Sequence, residues 1–345
     1  MGIALQTMTN ELTHVFLLSV GAFLLAMFLT PIYTFFAYRY RFWKRQRLES
    51  TDGKKLKVFA KFQAAKLRRN IPTMAGVIGV ISIFVVTIFF NLDRAQTWLP
   101  LAALVGGGIV GLIDDIINLR GLGGGAAGLR SPVKFALITL IGVVLGWFFF
   151  AKLGVASFHV PFVGEVNIGW LIIPLFAFAV VATGNAVNIS DGMDGLAGGL
   201  LGISFGAFGV IALLQQHVIL AGFCFTVVGV LLSYLWFNIY PARFFMGDVG
   251  SFAYGACLGV VAMLTDSLLL LPVIGLLFVI EAGSSLTQIV SKKLFKRKIF
   301  LSAPIHHHLE AIGWPETKVT MRFWVIGCVM AFIGVMLALA GGHIA

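Results

Sequence analysis

The chain has 345 residues, of which 59% are hydrophobic and 11% charged, with a formal net charge of +11. A water-soluble domain carries roughly 25% charged residues, so this composition excludes a fold coated on all sides by water. The apolar residues gather in runs of about 20, the length that crosses a bilayer as a helix.

In chain order, the runs predict an all-α, polytopic membrane protein. It is read as one transmembrane domain over 1–345 with ten spans, at about 14–37, 72–92, 97–117, 133–154, 168–187, 195–215, 217–238, 250–264, 267–290 and 322–342. The first is not a cleaved signal peptide, because residues 1–13 lack Lys and Arg and the apolar stretch is too long. Its positive charges follow it, at Arg39, Arg41, Lys44, Arg45 and Arg47, which sends the next loop into the cytoplasm. Alternation then places 38–71, 113–134, 185–194, 238–250 and 291–321 inside and both termini outside. Segments 38–71, 113–134, 238–250 and 291–322 hold 23 of the 25 Lys and Arg. Basic charge confined to one side of a membrane is the positive-inside signal, and no nucleic-acid partner is expected. Cys224, Cys257 and Cys328 fall inside spans without metal-ligand spacing, and read as small buried hydrophobes.

Acidic residues number only 14, and an ionisable group within or beside a span is costly and by default functional. Asp114 and Asp115 end the third span. Asn185, Asn188, Asp191 and Asp194 follow the fifth. Asn238, Arg243 and Asp248 lie between the seventh and eighth, and His306, His307, His308 and Glu310 between the ninth and tenth. Alternation puts all four groups on the basic side. Five aspartates on one face repel one another unless cations share the site. Carboxylates with open positions hold Mg²⁺, which takes further ligands from substrate phosphates. Such an ion stabilises charge on the attacking and leaving oxygens of a pyrophosphate, and a nearby Lys or Arg assists.

Other features read more plainly. Pro304 is expected to set the three histidines in a turn, where imidazoles contact phosphate or the leaving group. The Gly121–Gly128 run reads as a loop, since no strand precedes it as a nucleotide fingerprint requires. Glu281 reads as a neighbouring helix's partner in preference to a catalytic group. Glu11, Asp93, Glu165 and Asp266, on the outer side, read as solvated residues of plain turns.

At Pro72-Thr-Met-Ala-Gly76, Asp114-Asp115, Asn188-x-x-Asp-Gly-x-Asp-Gly-Leu196 and Phe245-Met-Gly-Asp-Val-Gly-Ser251, the sequence resembles the polyprenyl-phosphate phospho-sugar transferase family. Ala303-Pro-Ile-His-His-His308 with Gly313-Trp-Pro315 is typical of its muramoyl-pentapeptide branch, and the resemblance runs from about Pro72 to Trp324. It implies a ten-helix bacterial inner-membrane enzyme, usually a homodimer, with a cytoplasmic cleft. There UDP-MurNAc-pentapeptide and undecaprenyl phosphate, a membrane lipid, give lipid I and UMP for peptidoglycan synthesis, with Mg²⁺. Asp114, Asp115 and Asp248 match the three essential aspartates. Asp248 matches the metal ligand, and Asp114 is the candidate that readies the lipid phosphate as nucleophile. A phospho-aspartyl route is the competing mechanism. Asn188, Asp191 and Asp194 match the nucleotide-side motif, Asn238 and Phe245 positions lining the uracil pocket, and Gln288, His306, His307 and His308 residues near the sugar-phosphate.

Three positions depart from the pattern. Asn118 stands where a Lys is frequent, so the cation that meets phosphate is Lys134 or Arg130, with Lys134 the better match. Arg68 replaces the usual Lys before Pro72, and Ala75 a second Gly. The nearest rival is a GlcNAc-1-phosphate transferase. A remoter one is an ion-coupled transporter, which the absence of an internal repeat and the acids' place at span ends argue against.

Overall fold

A computed structural model of the chain describes residues 2–43, 70–121 and 128–342. Arg68, most of the first basic loop and the centre of the Gly121–Gly128 run lie outside them. The described residues form helices α1 (Gly2–Arg39), α2 (Gly76–Phe90), α3 (Trp98–Arg120) and α4 (Ser131–Leu153), a two-stranded hairpin, then α5 (Ile172–Ser190), α6 (Leu196–Leu214), α7 (Val218–Asn238) and α8 (Gly247–Leu264). A short 3₁₀ turn leads into α9 (Leu271–Ile274), followed by α10 (Leu276–Leu294), α11 (Ile305–Ala311) and α12 (Glu316–Ala340).

All-round apolar sequence makes these helices, and packing decides which stay inside. The apolar window of α8 is 94% buried, against 28% for α1, α4 and α12. Helix α8 is therefore the axis, flanked by α3 and α5, and the other three expose most of their surface to lipid. The axis is small-residue rich (Gly247, Gly250, Ala253, Gly255, Ala256, Gly259), which lets helices close together where lipid gives no hydrophobic drive for association. At Gly111 of α3, an added Cβ would lie 2.1 Å from the Asp248 carbonyl oxygen, so a side chain there would force the two helices apart.

Among the described residues, eight helices are long and apolar enough to span a bilayer, or nine if a bent pair counts as one span. Two expected spans differ. Helix α2 has only 15 residues. The ninth is broken at Gly275, where the Leu268–Ile274 and Leu276–Leu294 segments meet at 80°. Pro272 in the first turn of α9 and Gly275 after its last residue are ordinary punctuation for such a break.

Three other expectations are corrected. Cys328 is exposed, while Cys224 and Cys257 are buried, because only one face of α12 packs inward. The histidines lie on α11, not in a turn, since Pro304 serves as an N-cap with extended backbone (φ −63°, ψ 179°) and a helix follows. Of the outer acids, Glu11 lies within α1 and Glu165 in a strand, while Asp93 sits in a turn as expected. Asp93 accepts the backbone N–H groups of Ala95 and Gln96, each at 2.8 Å. Glu165 belongs to the hairpin of β1 (Ser157–Val160) and β2 (Gly164–Asn167), in which His159 pairs with Glu165 and Phe158 with Val166.

Candidate active site

Helices α3, α4 and α8 bring four of the expected residues together. One carboxylate oxygen from each of Asp114, Asp115 and Asp248 lies within 4.8 Å of the others, and all three residues are buried. Lys134, in the first turn of α4, places its Nζ 2.9 Å from Asp114 Oδ1 and 2.7 Å from Asp248 Oδ2. Asp114 Oδ1 also accepts the Leu129 N–H at 2.8 Å, and Asp115 Oδ2 the Val249 N–H at 3.1 Å. Asn118 is buried, and the ammonium paired with these carboxylates is that of Lys134.

Backbone packing fixes these positions. Gly247 has φ +75°, and a Cβ there would lie 2.6 Å from Asp115 Oδ2, so only glycine lets the chain turn into α8 against that carboxylate. Pro72–Gly76 pairs with Phe245–Met246: Phe245 N–H donates to Pro72 O (2.8 Å), Ala75 N–H to Phe245 O (3.0 Å) and Gly76 N–H to Met246 O (2.9 Å). The Tyr33 hydroxyl donates to Thr73 O. The two sequence motifs thus form one structural unit under the carboxylates, with the Phe245 ring half-buried.

A second group surrounds the 191–195 loop. Asn188 Nδ2 donates to Ser251 Oγ at 2.8 Å, tying α5 to the first turn of α8. Asp194 Oδ2 accepts the Ala242 N–H (3.0 Å), and its own N–H donates to Glu316 Oε1 (2.6 Å). Asn238 uses Oδ1 on the Gly195 N–H (2.9 Å) and Nδ2 on Phe244 O (2.8 Å), so its amide fastens the loop before and after α6 and α7. Thr320 Oγ1 donates to Asp194 O (3.2 Å) and Trp324 Nε1 to Gly195 O (3.1 Å). Glu316, Thr320 and Trp324 were not singled out from sequence. Their one signal was position, directly after Gly313-Trp-Pro315.

The α10–α11 residues have their own partners. Glu281 Oε2 and His306 Nδ1 are 2.7 Å apart with both side chains fully buried, so Glu281 is a helix-to-helix partner. A Cβ at Gly192 would lie 2.4 Å from His306 Nε2, which places that imidazole against the 191–195 loop. Gln288 Oε1 accepts the N–H groups of Ile299 and Phe300, each at 3.1 Å, and its Nε2 donates to Phe300 O at 2.9 Å. It shapes the basic loop from within. His308 Nδ1 accepts the Leu301 N–H at 3.3 Å. His307 faces Glu310 at 3.2 Å, and burial lowers its pKa against that carboxylate's pull.

Three carboxylates against one ammonium leave a formal charge of −2, which a divalent cation would neutralise. All the donors are hard oxygens, the set that suits such a cation when phosphate supplies further ligands. The Asp114–Asp115–Asp248 group therefore fits a divalent metal.

Residues 97–266 match glycosyl transferase family 4. The chain is 38% identical over 356 residues to the phospho-N-acetylmuramoyl-pentapeptide-transferase of Chloroflexus aggregans, covering 99% of this chain and 94% of the relative. It is 36% identical over 323 residues to the protein of that name from Geobacillus thermodenitrificans (91% and 94% covered). Against that from Levilactobacillus brevis it is 39% identical over 280 residues (79% and 86%). At this identity over nearly the whole length of both proteins, the chain belongs to the phospho-N-acetylmuramoyl-pentapeptide-transferase family.

Proposed function

We propose that the protein transfers phospho-MurNAc-pentapeptide from UDP-MurNAc-pentapeptide to undecaprenyl phosphate, giving lipid I and UMP. The observation that carries the reading is the buried Asp114–Asp115–Asp248 group with Lys134 between two of its members, in a chain of this family. A phosphate oxygen of the lipid attacks the sugar-linked phosphorus of the donor. The bond from that phosphorus to the bridging oxygen breaks, and UMP leaves with the electron pair. Bound Mg²⁺ supplies charge neutralisation on the pyrophosphate. Asp248 would hold the metal, with Asp115 beside it. Asp114, fixed by the Leu129 N–H and Lys134, takes any proton left on the acceptor phosphate. Lys134 lies 5.1 Å from the Phe252 ring as well as against its two carboxylates, and is the cation placed to meet a substrate phosphate. The 188–195 loop and the Phe245 ring receive the nucleotide, and α11 faces the sugar-phosphate.

The basic-loop asymmetry supports ten spans, with α2 and the bent α9–α10 pair completing the eight long helices, both termini outside and the carboxylates at the cytoplasmic face of the inner membrane. The family resemblance supports a homodimer. In micelles containing undecaprenyl phosphate, the purified protein is expected to release UMP with Mg²⁺ and to stop in EDTA. Undiminished release in EDTA would overturn the metal assignment.

A further inference from the structure

The opposite end of the bundle holds a second group of metal-ligand type. We propose that His159, Glu165 and Asp266 form a site for a divalent transition cation of the Zn²⁺ class, which clips the hairpin to the end of the bundle. Asp248 stands at one end of the 18-residue α8 and Asp266 just past the other, so at 1.5 Å per residue about 27 Å separates this site from the first.

The three donors come from three strands of chain. His159 and Glu165 are register partners across the hairpin, and Asp266 follows α8. One ligand atom of each lies within 4.8 Å of the others. Tetrahedral Zn²⁺ with bonds of about 2.0–2.2 Å holds its ligands roughly 3.4 Å apart, so a contraction of at most about 1.4 Å closes the site. Neighbouring groups orient each donor. His159 is only 8% exposed, and its Nε2 lies 2.8 Å from Gly341 O. A carbonyl only accepts, so Nε2 is the donor there and Nδ1 is the ring nitrogen that a metal would take. This is how metal-ligating imidazoles are set, with the other ring N–H given to a carbonyl. Asp266 Oδ1 accepts the His159 N–H at 2.9 Å, and Glu165 Oε2 accepts the Ser157 hydroxyl.

Charge and donor type select the ion. The two carboxylates together carry −2, and a divalent cation removes their mutual repulsion. An imidazole in the set favours Zn²⁺ or its neighbours over Mg²⁺ and Ca²⁺, which prefer all-oxygen shells. Glu165 is exposed, leaving the fourth position to water. The mechanical result follows from Gly341, which also accepts the Phe162 N–H at 3.2 Å. Metal at His159 would fasten the hairpin at once to the turn after α8 and to the end of α12.

The test uses EDTA-stripped full-length protein in detergent, titrated with ZnCl₂ by calorimetry and followed by thermal unfolding. An Asp248→Asn background silences the carboxylate group at the other end. The expected result is one Zn²⁺ per chain, a raised Tm, and no competition from excess Mg²⁺. In that background Glu165→Gln and Asp266→Asn are each expected to weaken binding by at least about 10-fold. Both keep the size of the side chain, and Glu165 lies on an exposed strand, so that variant carries the test if the other fails to fold. Absence of binding, binding equal in Glu165→Gln, or binding lost through Asp248→Asn alone would each overturn the site.

Discussion

At the scale of single residues, the roles divide between groups that meet substrate and groups that hold those in place. Asp248 is in the first class, so Asp248→Asn is expected to cut UMP release by about 10²–10³, the loss typical when one charge-stabilising group is removed from a reaction site. Near-wild-type turnover would remove Asp248 from the metal's ligands. Glu281 is in the second class. Glu281→Leu leaves the buried His306 imidazole without its hydrogen-bond partner, and an unsatisfied buried polar group costs about 1–3 kcal/mol. Thermal unfolding should show a fall in Tm, and an unchanged Tm would contradict the pairing. His307 gives a pH signature. Burial lowers its pKa in the fold below the unfolded value of about 6.5, so from pH 6.5 down to the folded value the unfolded chain binds more protons. Stability is complete above pH 6.5 and declines below it. Tm measured from pH 7.5 to 5.5 should fall more steeply for wild type than for His307→Gln, and parallel curves would refute the assignment. The carboxylates were legible in the sequence because acids at span ends are rare and expensive. The buried tasks of Asn238 and Gln288 were not, since nothing in a sequence tells an amide that will meet ligand from one spent on neighbouring backbone.

At the scale of elements, the ten apolar runs were legible because hydropathy alone specifies them, and each recurs as helix. What failed was shape within a run. The break at Gly275 and the helix after Pro304 depend on packing of α9–α12, which composition averages away. The hairpin had a signal in Ser157–Asn167, two short stretches flanking a Pro-Phe-Val turn, overlooked beside longer spans. Helices α3 and α8 meet backbone to backbone. Gly111→Val places branched carbon where an added Cβ already lies 2.1 Å from Asp248 O, so it should lower both Tm and turnover, the latter by at least the factor for Asp248→Asn. Wild-type turnover in that variant would show that the helices do not meet this closely.

Among the described residues of the whole molecule, the carboxylates lie at one end of α8 and the hairpin with its histidine at the other. In a Cys328→Ala background, a membrane-impermeant thiol reagent added to intact cells should label Val163→Cys, which is 76% exposed at the hairpin tip, and not Lys298→Cys. The reverse pattern would invert the map. The central claim is donor choice. The 291–315 segment combines the basic Lys292–Lys298 run, α11 and Gly313-Trp-Pro315, long enough to cover the sugar and reach a lactyl-peptide arm that GlcNAc lacks. A site built around polar substrate groups rejects an analogue without them by large factors, because its own donors are left unpaired. The most direct measurement is UMP release by the purified protein, with undecaprenyl phosphate and Mg²⁺, from UDP-MurNAc-pentapeptide and UDP-GlcNAc in parallel. The account predicts rapid release from the first and scarcely any from the second; equal or faster release from UDP-GlcNAc would contradict it.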